Sequence, residues 1–197
     1  MIAAMRRVLA FSRVDAVKCQ TFFGSGAVAR KFAHGLTPLR DRAVLAAVAS
    51  RRPERAAAFA ESFPGSRAAT SYEDALTGGI DAVYIATPPA LHEAHAIMAL
   101  EAGCAALVEK PFATDTAAAT RIAEAARRAG CFCMEAMWTR FLPLTVAIRD
   151  RIESGALGTV TGFDGSFQVA NKPDPAASLF EPTTGGGSLL HRGVYPV

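Results

Sequence analysis

No apolar run in this chain approaches the roughly 18 residues that a membrane-spanning helix needs. Net charge is only +3, too small to argue for a nucleic-acid partner. Cysteine is scarce: Cys19, Cys104, Cys131 and Cys133 form no CxxC pair, and the last two stand too close together for an ordinary zinc pair. They read as small buried hydrophobes of a reducing, cytoplasmic compartment, with Cys131 and Cys133 on one face of a strand. There is no internal repeat and no low-complexity tract. What remains is a composition of 51% hydrophobic and 20% charged residues, that of a folded globular chain. The length suits one full domain and part of a second.

From Val17 onward short apolar runs alternate with helical patterns. "VKCQTFF" leads into "GSGAVARKFAHGL", "AVLAAVAS" into "RPERAAAFAESF", "DAVYIATP" into "ALHEAHAIMALEAG", and "CAALVEKP" into "DTAAATRIAEAARRAG", before "CFCMEAMW". The runs are almost continuously apolar, as parallel strands buried on both faces should be. Thr114 or Asp115 can cap one helix, and Gly103 and Gly130 can end two. The pattern predicts an α/β fold, a Rossmann-type doubly wound parallel sheet over residues 17–138.

After Trp138 the character changes. Residues 140–158 predict a connecting helix ended by glycine, 159–170 a longer strand, 171–187 a loop, and 187–197 the start of another helix. Residues 139–197 therefore read as a connecting helix and the opening of an incomplete α+β domain. Residues 1–16 read as an unordered extension. Arg6, Arg7 and Arg13, with no acid in the first fourteen residues, make a transit peptide the alternative.

The first βα turn carries Gly24-Ser25-Gly26-Ala27-Val28-Ala29, a GxGxxA pattern. Gly24 permits a tight turn, Gly26 lets backbone approach a pyrophosphate, and Ala29 lets helix and strand pack closely. An ordinary strand-to-helix turn is the competing reading. At the end of the second run, where an acid would bind the ribose hydroxyls of NAD, stand Ser50, Arg51 and Arg52. A hydroxyl and a guanidinium suit a 2′-phosphate, so the cofactor expected is NADP. The third turn, Ala86-Thr87-Pro88, is followed by His92 and His95; proline cannot continue the sheet, so the chain turns over its edge. The two histidines are read as packed or cofactor-facing, and no metal is assigned. A fourth run ends in Glu109-Lys110-Pro111, an acid and a base at a strand's carboxyl end.

These residues together resemble the glucose-fructose oxidoreductase / inositol dehydrogenase family: the glycine loop, Ala86-Thr87-Pro88 with His92, Glu109-Lys110-Pro111, and "GGGSLLHRGVYP" at 185–196. "EAMWTRFLP", 135–143, is similar to the dimeric dihydrodiol dehydrogenase branch. The resemblance implies NADP-dependent hydride transfer to or from a secondary alcohol such as a trans-dihydrodiol or a sugar, as in D-xylose dehydrogenases. It places Lys110 beside the nicotinamide, with Pro111 at a bend that is sometimes cis. Tyr195 becomes a catalytic phenol, and His191 stands where an aspartate is expected. Trp138 and Arg140 line the cofactor or substrate cleft on this reading, or else are a domain-junction aromatic and a solvated arginine. The implied second domain is a large sheet that usually forms a dimer face, so a homodimer is expected when that domain is complete. A fragment or a truncated gene product is expected here, and a non-catalytic dinucleotide-binding remnant is the rival reading.

Overall fold

The structure, a computed structural model, describes residues 18–170 and 178–196. Each apolar run forms a strand: β1 (Lys18–Phe23), β2 (Ala43–Ala49), β4 (Ala82–Ile85), β5 (Ala105–Val108) and β6 (Cys133–Glu135). A sixth, β3 (Arg67–Ala68), escaped the sequence reading. It is two exposed residues at the sheet edge, with no apolar run to signal it. All pairings are parallel, in the order β3-β2-β1-β4-β5-β6.

Successive strand residues point to opposite faces, and each face has its own helices. Phe22, Val48, Tyr84 and Leu107 pack with Ala29, Phe32, Ala33 and Leu36 of α1 (Ala27–Leu36) and with Ala56 and Phe59 of α2 (Pro53–Glu61). On the other face Phe23, Val83, Ile85 and Val108 pack with Ala96, Ala99 and Leu100 of α3 (His92–Glu101) and with Ile122 and Ala125 of α4 (Thr116–Ala129). A fully buried residue of this size contributes about 1.5–3 kcal/mol, so two continuous apolar layers hold the sheet. Cys104 is buried in the second layer, and Cys131 and Cys133 pack against it. Asp115 is the N-cap of α4, its Oδ1 accepting from Ala118 N at 2.8 Å. Gly103 and Gly130 take left-handed backbone (φ 80° and 63°) where α3 and α4 end.

The connecting helix is α5 (Pro143–Glu153), which buries no residue and leaves Leu144, Ile148 and Ile152 exposed on one side. The strand expected at 159–170 does not form. Those residues are irregular and exposed, with Phe163 at 80%. A strand needs a neighbour for its N–H and C=O groups, and none of the described strands pairs with it. The helix expected from Ser188 is a single π-helical turn, Leu189–Gly193. The 1–16 extension and part of the loop, 171–177, lie outside the described residues. Among those that are described, no helix is long and apolar enough to cross a membrane.

Candidate functional site

The sheet order reverses between β1 and β4, whose following helices leave on opposite faces. The turns after them diverge and open a crevice at the carboxyl edge. Ala86 N donates to Phe23 O (2.8 Å), holding the bases of the two turns together, while Gly24 N donates to Ala49 O at the end of β2 (2.9 Å). Gly24 has φ +107°, and a Cβ there would stand 2.5 Å from Ala86 O. Only glycine fits, and for two reasons. Gly26 differs: a Cβ there meets nothing within 4 Å. It is the N-cap of α1 and offers no side-chain acceptor, and the first turn carries no acid. Ala27 and Val28 are exposed beside it, while Ala29 is fully buried against the sheet. An uncapped, exposed helix start with an open approach fits an anionic group such as a pyrophosphate. Thr87 is buried, its Oγ1 3.0 Å from His95 Nδ1. Pro88 is exposed at the rim. After β2, Ser50 Oγ accepts from Arg52 N at 3.4 Å, and the Arg51 side chain is exposed.

His92, read as packed or cofactor-facing, packs inside. It is fully buried, with Nδ1 2.8 Å from Pro111 O and Nε2 2.8 Å from Thr87 O. The first turn of α3 tucks the ring between the Thr87 and Pro111 turns, where the neutral imidazole can donate to one of the two carbonyls. Burial holds its pKa below the usual histidine value. The Lys110–Pro111 peptide is cis.

Glu109 and Lys110 leave the end of β5 on inward paths. Tyr84 Oη donates to Glu109 Oε1 (2.5 Å) and Lys110 N donates to Oε2 (3.1 Å). Burial nevertheless raises the Glu109 pKa, against the Tyr84 hydrogen bond and the Lys110 charge, and raises that of Tyr84 too. Burial lowers the Lys110 pKa, while Glu109 opposes the shift. Glu135, at the end of β6, accepts from Phe112 N at 2.9 Å, and burial raises its pKa as well.

The residues singled out near the C-terminus meet this edge. Lys110 Nζ donates to His191 O (2.9 Å) and stands 5.3 Å from the centre of the Tyr195 ring. Tyr195 packs against Trp138 (6.0 Å between ring centres) and Phe167 (4.5 Å). His191 Nε2 is buried with no hydrogen-bond partner among the described residues, and burial depresses its pKa, helped by the Lys110 and Arg192 charges. A cleft of about 660 Å³ lies beside these groups, lined by Pro111, Glu135, Arg140, Leu190 and Tyr195 among others. Lys110, His191 and Tyr195 are thus brought together, with Trp138 and Arg140 at their border. Among the described residues, no three His, Cys, Asp or Glu side chains cluster as a metal site would require.

Tyr84 and Glu135 were missed in the sequence. The signals were faint: one polar-tipped aromatic inside an apolar run, and an acid ending "CFCME" as another ends "CAALVE".

Comparison with known proteins agrees with this geometry. D-xylose 1-dehydrogenase (NADP(+)) of Hypocrea jecorina is 34% identical over 166 residues, covering 78% of this chain and 42% of the relative. Trans-1,2-dihydrobenzene-1,2-diol dehydrogenase of Mus musculus is 33% identical over 175 residues, covering 88% of this chain and 52% of the relative. The chain thus spans about half the length of these two curated relatives. The crystal structure of KijD10, a 3-ketoreductase from Actinomadura kijaniata in complex with NADP and TDP-benzene, superposes with a TM-score of 0.80. Identity is 32%, covering 92% of this chain and 55% of that one. Residues 20–137 match the GFO_IDH_MocA model, "Oxidoreductase family, NAD-binding Rossmann fold". The chain belongs to that family.

Proposed function

We propose that this chain serves an NADP-dependent oxidoreductase, with residues 17–138 as its dinucleotide-binding unit. The reaction moves a hydride between the nicotinamide and the carbinol carbon of a secondary alcohol: a trans-dihydrodiol, a sugar or a related polyol. The observation that carries the reading is the crevice where the Gly24–Gly26 turn abuts Ala86-Thr87, with Lys110 on the next strand end. Bound NADP supplies the site that accepts or gives the hydride. The rest is the work of this chain's own groups. The uncapped start of α1 faces the pyrophosphate. Ser50 and Arg51 hold the 2′-phosphate. Lys110, whose pKa is lowered by burial, exchanges the hydroxyl proton, and the Tyr195 phenol shares that proton. Trp138 and Arg140 border the substrate.

A second reading, a dinucleotide-binding protein without turnover, is favoured by one observation: the Lys110 ammonium is engaged by His191 O. Substrate-dependent reduction of NADP, assayed over a panel of dihydrodiols and aldoses, separates the two readings.

The cofactor choice has its own test. Titration by the fluorescence of Trp138 should give tighter binding of NADP than of NAD. Arg51→Ala should narrow the gap by about 1.5–3 kcal/mol, the worth of a charged hydrogen bond. Equal or tighter binding of NAD by the unaltered chain overturns the assignment of Ser50 and Arg51.

A further inference from the structure

We infer that Tyr84 is a positioning residue of this site: its hydroxyl holds the Glu109 carboxylate beside Lys110 and thereby sets the proton affinity of the Lys110 amine. This rests on reading Lys110 as the proton-handling group, but the test below observes Lys110 directly and needs no turnover.

The register of two strands makes the contact. Tyr84 pairs with Leu107. Glu109 lies two residues further on and so on the same face, where its carboxylate meets the Tyr84 hydroxyl. The ring itself cannot move away. It stacks on Phe32 at 4.0 Å and 15°, meets Phe22 edge-on at 5.2 Å, and is 2% exposed. A fixed ring aims a fixed hydroxyl. With Oε1 taken by Tyr84 and Oε2 by Lys110 N, the carboxylate has one orientation. A hydrogen bond to the charged form favours that form, so the phenol opposes the rise that burial imposes on the Glu109 pKa. An ionised Glu109 in turn favours the ammonium of Lys110.

Other charges around the pair are few. Glu135 also favours the Lys110 ammonium, and Arg192 opposes it. His191 and His92 each feel the lysine's charge. Glu135 faces Glu109 as well, and Tyr195 acts on Tyr84. None of these donates to the Glu109 carboxylate.

The experiment is competitive acetylation of Lys110 with acetic anhydride across pH, read by peptide mass spectrometry on the purified chain. Tyr84→Phe keeps the ring and its stack while removing the hydroxyl. It should lower the half-labelling pH of Lys110 by a few tenths to about one unit, a fraction of what a neighbouring opposite charge can contribute. Glu109→Gln should lower it at least as far, and adding Tyr84→Phe to Glu109→Gln should do nothing more. An unchanged or raised midpoint in Tyr84→Phe overturns the inference. So does an equal drop in the Glu109→Gln background, which would mean that the hydroxyl acts by another route. Should Tyr84→Phe not fold, the unaltered chain supplies the test by proton NMR. A slowly exchanging, downfield Tyr84 hydroxyl proton, lost or moved upfield in Glu109→Gln, supports the contact, and its absence overturns it. Failure of NADP binding or turnover would leave all these readings intact, so the two proposals fail separately.

Discussion

Two glycines two residues apart should respond to the same substitution in opposite ways. Gly24→Ala places a methyl at φ +107° and 2.5 Å from Ala86 O. The left-handed backbone costs about 1–2 kcal/mol for a residue with a Cβ. The overlap is with main chain, not with a side chain that can swing away. Relief therefore requires the β1 and β4 turns to separate, at about 1–3 kcal/mol more. The sum, roughly 2–5 kcal/mol, is a large share of a domain's 5–15 kcal/mol. With a urea slope near 2 kcal/mol/M it lowers the unfolding midpoint by about 1–2.5 M. Gly26→Ala meets no atom within 4 Å and keeps an ordinary extended φ of −75°. Its stability should stay within about 1 kcal/mol of the parent. Its methyl stands at the open approach to the start of α1, so pyridine dinucleotide affinity should fall at least about tenfold, or about 1.4 kcal/mol. Urea unfolding followed by circular dichroism and a fluorescence titration read both effects. A Gly24→Ala chain as stable as the parent refutes the close-approach argument. A Gly26→Ala chain that binds dinucleotide as the parent does refutes the assignment of the open face.

Lys110→Met should lower hydride transfer by about 10²–10⁴ while NADP affinity changes little; a loss confined to cofactor binding would make Lys110 a cofactor contact with no proton role. His95, whose pKa burial lowers to about 4, should make stability pH-dependent. The unfolded chain takes up this proton near pH 6.5 and the folded chain only near 4, so stability is full above about 6.5 and declines as pH falls toward 4. The slope is at most about 1.4 kcal/mol per unit, less where solvent screens the ring edge. His95→Gln should flatten that part of the urea-midpoint profile, and parallel profiles for parent and variant would refute it.

Five of the six strands were legible because a strand buried on both faces reads as a short, nearly continuous apolar run leading into a turn and a helical pattern. β3 was not, because two exposed edge residues need no pattern. The interleaved residues of 159–170 have a strand's composition, but composition supplies no partner for the backbone. α5 was readable within 140–158 as a helix ended by glycine although it buries nothing; the structure starts it at Pro143 and ends it at Glu153. The glycine turn and Lys110 were readable because each sits at a strand end, and strand ends are local.

Tyr84 and Glu135 were not legible, and the choice between a packed and a cofactor-facing His92 stayed open, because each depends on a contact across the sheet edge. The tyrosine lies 25 residues from its glutamate. It is significant only because β4 and β5 align Tyr84 with Leu107 and leave Glu109 two places on. His92 sits in a helical pattern that would equally allow it to face the cleft. What turns it inward is that the Thr87 and Pro111 carbonyls converge on its two nitrogens. Strand-end residues can therefore be found by reading along the chain, while the groups that tune them are found by reading across it. Once a register is known, an acid at one strand end directs attention to the partner of the residue two places before it, which here is Tyr84.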